Sequence, residues 1–160
     1  VGAGGGDARF RPGEAITRGD FMLMLYRAFS LGSAGVLGAG FPDVPADSYY
    51  AQAVRTAQAL GITTGTGSGD FRPYDPITRQ DAAVLLQRTM QRIGRDLGTG
   101  NTSLLSNYSD GWSVASYAQS AVAVMLENGI LSGDESGALN PRSAVTRAEM
   151  AVMLPRAMTL

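Results

Sequence analysis

Three stretches of the chain place apolar residues at helical spacing. After Thr17, Thr78 and Thr146, apolar residues recur three and four positions apart, which predicts an amphipathic helix in each stretch. The apolar faces are Phe21, Met22, Leu25 and Phe29; Ala82, Leu85, Leu86 and Met90; and Met150, Met153, Leu154 and Met158. Pro155 lies about two turns into the third helix, where we expect it to kink or end the helix.

Each predicted helix begins with the same short motif, an aliphatic residue followed by Thr, Arg, any residue and an acid. The three copies are Ile16-Thr17-Arg18-Gly19-Asp20, Ile77-Thr78-Arg79-Gln80-Asp81 and Val145-Thr146-Arg147-Ala148-Glu149. The spacing is that of a capping box, in which the Thr hydroxyl and the acid three residues later satisfy each other's backbone N–H groups.

The motifs belong to a longer internal repeat. Residues 61–81 align with 129–149 at a constant offset of 68, and the N-terminal copy aligns with the second at an offset of 61. We assign repeats to 1–31, 41–94 and 108–160, of which the first holds only the second half of the unit. The Gly- and Ser-rich connectors, 31–40 and 94–107, are predicted to be loops.

A full repeat is predicted to fold as helix, loop, helix. The first helices are expected near 48–60 and 114–128 and end at Gly61 and Gly129, each followed by an Ile that suits a Schellman stop. Three such amphipathic units cannot bury their apolar faces separately, so we predict one compact all-α module with pseudo-threefold packing.

Composition then narrows the chemistry. The 160 residues contain no Cys, His or Lys, so all 13 basic residues are Arg. This excludes disulfides, Ser-His-Asp catalysis, the phosphate-binding P-loop lysine and His- or Cys-ligated metals. We expect no metal and no cofactor. Asp134 and Glu135 do not fit the spacing of a calcium loop and are assigned to a turn.

Charge and hydropathy exclude two classes of partner. The net charge is −1, which argues against nucleic acid and against a polybasic membrane contact. The longest apolar run, at 121–126, is far shorter than a membrane helix, so no membrane insertion is expected. Residues 1–6 lack the basic and apolar regions of a signal peptide.

The Arg of each motif needs an explanation. As the first helical residue, a cation opposes the helix dipole at a cost of ~0.3–1 kcal/mol, yet the chain places one there three times, at Arg18, Arg79 and Arg147. Each Arg could pair with a nearby carboxylate and stabilise the fold. Alternatively, free helix N–H groups and the guanidinium could together bind a carboxylate or phosphate. The residues alone leave both explanations open.

With these repeats, the chain resembles a surface-layer homology (SLH) domain. The resemblance rests on Phe41-Pro-Asp43-Val44, Gly61-Ile62-Thr-Thr-Gly65, Phe71-Arg-Pro73 and the helix motif, and on the third copy, whose Thr146-Arg147-Ala148-Glu149 equals the family signature. The resemblance implies a three-pronged pseudo-trimer around the signature-bearing helices. The first copy lacks the opening Phe-x-Asp-Val and the first helix.

The resemblance also implies a function. Such domains anchor proteins to the bacterial wall, outside the cell, by binding an anionic, often pyruvylated, cell-wall polysaccharide or modified peptidoglycan in grooves between repeats. They are not enzymes. The candidate ligand-binding residues are Arg18, Arg79, Arg147, Thr17, Thr78, Thr146, Asp20, Asp81, Glu149, Gly65, Gly133, and Tyr49 and Tyr117 in place of a family Trp.

Two other functions remain as alternatives. A module with an incomplete first repeat leaves apolar surface that a neighbouring chain could cover, so it could self-associate within a surface lattice or filament. An enzyme acting on wall glycan would need two carboxyl groups facing each other across a cleft, and the acids here recur at helix-capping positions instead.

Overall fold

The computed structural model describes residues 11–160 and is helical, as predicted. Its α-helices are α1 (Arg18–Ala28), α2 (Ala51–Ala59), α3 (Arg79–Arg92), α4 (Gln119–Glu127) and α5 (Arg147–Met158). The connectors predicted to be loops contain 3₁₀ turns at Leu31–Ala34 and Thr102–Asn107, and two more, Gly111–Ser113 and Ser116–Ala118, precede α4. We call α1, α3 and α5 the signature helices, because each begins at the repeated motif.

The signature helices start where the sequence predicts. The hydroxyls of Thr17, Thr78 and Thr146 accept the N–H of the residue three positions later, at 3.1, 3.2 and 3.1 Å. Only the third helix completes the capping box, with the Glu149 carboxylate accepting the N–H of Thr146 at 2.9 Å. The predicted box is wrong in the other two, where the shorter Asp20 and Asp81 carboxylates accept tyrosine hydroxyls instead.

The first helices of the second and third repeats end as predicted, although both begin later than expected. Gly61 has φ of 75° and Gly129 of 71°. After each, the buried Ile62 or Ile130 donates its N–H to a carbonyl five residues back, at 2.8 and 2.9 Å. These are the bonds of a Schellman stop, and they turn the chain from the first helix into the loop of the repeat.

A closed ring of backbone hydrogen bonds joins the three repeats. Ile16 donates its N–H to the carbonyl of Val145, Val145 donates to Ile77, and Ile77 donates to Ile16, each at 2.9 Å. Isolated β-bridges flank the three links. Because each repeat donates to one neighbour and accepts from the other, the arrangement is the predicted pseudo-threefold, and the first repeat closes on the last.

The first helix of one repeat packs on the signature helix of the repeat before it. Thus α2 lies along α1, and α4 lies along α3. The predicted apolar faces are largely confirmed: the buried members are Phe21, Met22, Leu25, Ala82, Leu85, Leu86, Met90, Met150 and Met153, whereas Phe29 and Leu154 are partly buried.

Helix α5 differs from its counterparts. Val152 and Met158 are 46% and 43% exposed, whereas Val84 and Met90, at the equivalent positions of α3, are 7% and 0% exposed. Within 11–160, no helix covers α5 as α4 covers α3. The expectation that Met158 belongs to the core is therefore wrong.

Pro155 does not end α5, which continues to Met158. A proline lacks the N–H that would bond the carbonyl four residues back, here that of Ala151. Both Ala151 and Pro155 are exposed, so water can reach the carbonyl that has lost its helical partner. The expected helix end is wrong because the missing bond lies on the solvent side.

Candidate ligand grooves

In each of the two complete repeats, an Asp near the start of the repeat fixes the loop that leads into the signature helix. The Asp43 carboxylate accepts the N–H groups of Phe71 and Arg72 at 2.9 and 2.7 Å. Arg72 has φ of 58°, a conformation that non-glycine residues seldom adopt. Asp110 makes the same pair of bonds in the third repeat, at 2.7 and 2.9 Å. These carboxylates tie each loop to the opening segment of its own repeat.

The N-termini of the signature helices have no free N–H groups to offer a ligand in their first turn. In α1, Arg18 donates its N–H to Asp75 at 2.8 Å, and Gly19 donates to Pro73 at 2.9 Å, both at carbonyls of the next repeat. The third N–H is taken by the Thr17 hydroxyl. Helices α3 and α5 repeat the pattern. The alternative in which free helix N–H groups help to bind an anion is therefore not supported by the described residues.

Arg18 crosses from the first repeat to the second. Its Nε donates to the carbonyl of Phe71 at 2.9 Å, and the guanidinium lies 5.0 Å from the centre of the Phe71 ring. Its Nη1 is 3.6 Å from the carboxylate of Asp81. The residue is only 9% exposed, and its hydrogen bond, ring contact and ion pair all join the first repeat to the second.

The other two motif arginines also pair with carboxylates across a repeat boundary. The Nε of Arg79 donates to the carbonyl of Leu139 at 2.8 Å, and its Nη1 donates to Glu149. Arg147 instead pairs with Glu14 of the first repeat, at 2.9 Å. Of the two explanations that the sequence left open, carboxylate pairing is thus observed three times, always between repeats.

Two of these pairs lie in grooves of similar build. Groove A has a volume of about 380 Å³. The second repeat supplies its turn, Thr63 to Gly67, together with one side of α3, while the first repeat supplies Arg18 and the third supplies Tyr117. We define groove A by Arg18, Gly65, Asp81, Arg88 and Tyr117.

Tyr117 closes one side of groove A. Its hydroxyl donates to the Asp81 carboxylate at 2.5 Å. Partial burial and this hydrogen bond raise the pKa of Tyr117 to about 12, so the phenol stays neutral. The side chain is nevertheless 62% exposed. The ring is therefore held by its hydroxyl while its apolar surface remains available for contact.

Groove B is the equivalent space in the third repeat, with a volume of about 330 Å³. We define it by Arg79, Gly133, Asp134, Glu149 and Arg156, all of which line it. No tyrosine lines it. The position of Tyr117 belongs to a first helix of the following repeat, and the first repeat contributes no such helix within the described residues.

The remaining candidate residues are not gathered in either groove. The three Thr hydroxyls cap their helices and line neither space. Tyr49 donates to Asp20, and this contact raises the pKa of Tyr49 to about 12. Gly4, the first-repeat counterpart of Gly65 in the internal alignment, lies outside the described residues.

Sequence reasoning missed a second repeated arginine. Arg88 and Arg156 line grooves A and B. Their Nη1 atoms donate to the carbonyls of Ile62 and Gly129, at 3.2 and 3.0 Å. Each follows its motif arginine by nine residues, and Arg27 does so in the first repeat. The signal for this second arginine is therefore present in the internal alignment.

Groove B has an additional acid that groove A lacks. The Asp134 carboxylate accepts hydrogen bonds from the Ser136 hydroxyl, the Ala138 N–H and the Asn140 amide, and these hold its pKa well below the usual range. The equivalent position in groove A is Thr66. The two grooves therefore differ in charge as well as in the tyrosine.

The described residues contain neither a metal-binding cluster nor a helix that could span a membrane. No group of three or more acidic side chains is placed to hold a metal ion within this part of the chain. None of the helices from α1 to α5 combines the length and the hydropathy needed to cross a membrane.

The chain is similar to proteins of bacterial surfaces. It is 29% identical over 96% of its length to the surface-layer 125 kDa protein of Lysinibacillus sphaericus. It is also 29% identical over 92% of its length to exoglucanase XynX of Acetivibrio thermocellus. A shorter stretch, 41% of the chain, is 42% identical to outer membrane protein SlpA of Thermus thermophilus.

The chain spans only 12%, 13% and 7% of the lengths of these three relatives, respectively. The similarity therefore identifies a module that recurs in otherwise different proteins, and an extracellular cell-surface location fits the relatives that carry it. The sequence model of the S-layer homology domain matches residues 40–83 and 107–151, the second and third repeats. The chain belongs to the S-layer homology domain family.

Proposed function

We propose that the chain anchors a larger surface protein to the bacterial wall by binding an anionic, pyruvylated cell-wall polysaccharide. Surface anchoring in general follows from the family and its relatives. The finer proposal is supported chiefly by one observation: two equivalent grooves open between repeats, each lined by two arginines. Modified peptidoglycan is the alternative polymer.

The chemistry of the grooves suits such a ligand. A pyruvate ketal presents a carboxylate, for which a guanidinium is the best-matched side-chain partner. The neutral Tyr117 ring offers an apolar surface on which one face of a sugar can pack. Thr64 lines the same groove and supplies a hydroxyl for the sugar.

The proposal is tested with purified pyruvylated polysaccharide and with the same polymer after acid removal of the ketal. The chain should bind the intact polymer and lose at least about tenfold in affinity for the treated one, since a charge-assisted contact is lost. Equal binding to both forms would show that the pyruvate is not recognised. Binding to purified peptidoglycan alone would favour the alternative polymer.

The residues inferred from the resemblance are tested by Arg79→Ala and Arg147→Ala. Both variants are first examined by circular dichroism, since both arginines also join repeats. Direct contact between these arginines and the ligand would make each folded variant bind more weakly. If both fold and bind the polysaccharide as well as the parent chain does, the assignment of these arginines as ligand contacts fails.

We further propose that the chain is not itself an enzyme. Asp81 and Glu149 are each engaged by an arginine of the preceding repeat, which leaves neither poised as a general acid or base in a cleft. Prolonged incubation with the wall polysaccharide should release no soluble product. Any chain-dependent release would contradict this proposal.

Self-association is a second candidate function, favoured by the uncovered side of α5. Val152 and Met158 are exposed where α3 buries the equivalent residues. Light scattering of the parent chain should then show a dimer or larger species that Val152→Gln with Met158→Gln converts to a monomer. A parent chain that is strictly monomeric, yet binds the polysaccharide tightly, would remove this candidate.

A further inference from the structure

We propose that groove A is the principal anion-binding groove, and that Arg88, rather than the motif arginine Arg18, supplies the charge that captures the ligand. This inference rests on the proposed function and assigns roles within it. Arg18 becomes a positioning residue that shapes the groove. Groove B, although similar in build, is expected to contribute little to anion binding.

The first step concerns Arg18. Its Nε is bonded to the carbonyl of Phe71, its Nη1 faces Asp81 at 3.6 Å, and its side chain is only 11% exposed. Nearby Asp81 balances its charge. An anionic ligand would therefore meet a guanidinium that is already compensated and mostly buried.

The second step concerns Arg88. Among the described residues its recorded partner is a backbone carbonyl, that of Ile62 at 3.2 Å, and no carboxylate lies within ion-pair distance. The side chain is partly exposed and lines groove A. Asp70, at the edge of the same loop, is engaged by Arg72 at 3.2 Å. One positive charge in groove A thus remains uncompensated, and it is that of Arg88.

The third step compares groove B. Arg156 occupies the position of Arg88 and also donates only to a carbonyl. Here, however, Asp134 lines the groove, and its hydrogen bonds keep it ionised. Glu149 pairs with Arg79, and the negative charge of Asp134 lies in the same groove as the positive charge of Arg156. Groove B is therefore close to neutral overall and also lacks the tyrosine of groove A.

The inference is tested by three matched variants that each remove one charge: Arg88→Gln, Arg156→Gln and Arg92→Gln. Arg92 lies on α3 four residues beyond Arg88 and does not line groove A. Binding is measured with pyruvylated cell-wall polysaccharide. Arg88→Gln should weaken binding at least about tenfold, as expected for a lost charge-assisted contact. Arg92→Gln should change it by less than about twofold, and Arg156→Gln should weaken it clearly less than Arg88→Gln does, because neither removes the uncompensated charge of groove A.

A readout of stability separates capture from positioning. Arg88→Gln removes one part-buried hydrogen bond and should lower the melting temperature by no more than about 4 °C. Arg18→Gln should lower the melting temperature clearly, since it removes a buried contact between repeats. An Arg88→Gln chain that melts normally and binds normally would overturn the inference.

A second experiment transfers the acid of groove B to groove A. Thr66 and Asp134 occupy equivalent turn positions, and each donates its N–H to the carbonyl four residues later, at 3.0 and 2.8 Å. Thr66→Asp should weaken binding about as much as Arg88→Gln does, whereas the neutral control Thr66→Asn should not. Equal effects of the two substitutions would contradict the charge argument.

The outcomes distinguish this inference from the function on which it rests. If the parent chain binds neither the intact nor the ketal-free polysaccharide, both fail together. If the parent chain binds the intact polymer but Arg156→Gln weakens binding as much as Arg88→Gln does, the proposed function stands and the assignment to groove A is wrong.

Discussion

At the scale of single residues, hydroxyl-to-carboxylate bonds link the exposed side chains of neighbouring repeats. Tyr49 of the second repeat donates to Asp20 of the first, and Tyr117 of the third donates to Asp81 of the second. Each acid sits at the third position of a signature helix. Asp20 and Asp81, which were expected to complete capping boxes, thus form contacts between repeats instead.

The Tyr49 contact predicts a measurable pH dependence. The hydrogen bond to Asp20 is the largest cause of the raised pKa of Tyr49, about 12 against an ordinary 10.0. Because the folded pKa is the higher one, this contact stabilises the fold fully below pH 10.0 and is lost as the pH rises towards 12. We expect Asp20→Asn to lower the pKa of Tyr49 towards 10.0, as followed by NMR of labelled tyrosine.

The exposed Asp47, only two residues from Tyr49 in sequence, provides the control. Asp47→Asn removes the same charge without touching the hydrogen bond, so the pKa of Tyr49 should scarcely change. An equal shift in both variants would mean that general charge, rather than the bond to Asp20, sets this pKa.

At the scale of elements, the turn between the two helices of a repeat determines the shape of each groove. Gly65 has φ of 86°, and a Cβ there would lie 2.4 Å from the carbonyl oxygen of Asp70 and 2.8 Å from the Phe41 ring. The glycine is required by packing within the turn. Its place on the groove wall follows from that requirement.

Gly65→Ala and Gly67→Ala form a matched pair for this turn. Both glycines have positive φ, but a Cβ at Gly67 meets nothing within 4 Å. Gly67→Ala should cost about 1–2 kcal/mol of unfolding free energy, from the left-handed backbone alone. Gly65→Ala should cost clearly more, because backbone must also move. Denaturant unfolding measures both, and equal costs would refute the packing argument.

At the scale of the whole molecule, the ring of backbone bonds distinguishes this module from a linear array of repeats. In a linear array each repeat contacts only its sequence neighbours and can unfold by segments. Here Ile16 of the first repeat and Val145 of the third are hydrogen-bonded directly. We therefore expect the three repeats to unfold together.

Val145→Pro tests the cooperativity of the ring. Proline removes the N–H that bonds the carbonyl of Ile77 and should lower the unfolding free energy by about 1–3 kcal/mol. Circular dichroism of all helices and fluorescence of Trp112, which lies in the third repeat, should still report one transition. Val145→Ala is the control: it keeps the N–H and measures the cost of losing the side chain alone. Separate transitions for the two signals would show that the repeats unfold independently.

The sequence predicted the fold well because the signals for helix starts, helix ends and buried helix faces each lie within a short stretch of the chain. The Thr caps, the glycine stops and most of the buried helix faces follow from spacing alone. The failures at Met158 and Pro155 depend on which side of α5 remains uncovered, and helical periodicity does not contain that information.

The site was predicted less completely than the fold. Arg18, Gly65, Asp81 and Tyr117 do meet in one groove, although they come from three repeats. The carboxylate partner of each motif arginine belongs to another repeat. The carbonyls that accept the first N–H groups of each signature helix also belong to another repeat. Both facts depend on the closed arrangement of the three repeats. Arg88 was overlooked because its role depends on the absence of a neighbouring acid.

The backbone ring also affects which positions of such a module can change in sequence while the fold is kept. Its three links use only the N–H and C=O groups of Ile16, Ile77 and Val145. Any residue except proline can supply those bonds, so the ring does not depend on the side chains that line the grooves. Arg88, Asp134 and Thr66 lie outside the ring, which leaves the choice of ligand free to change by single substitutions while the architecture stays the same.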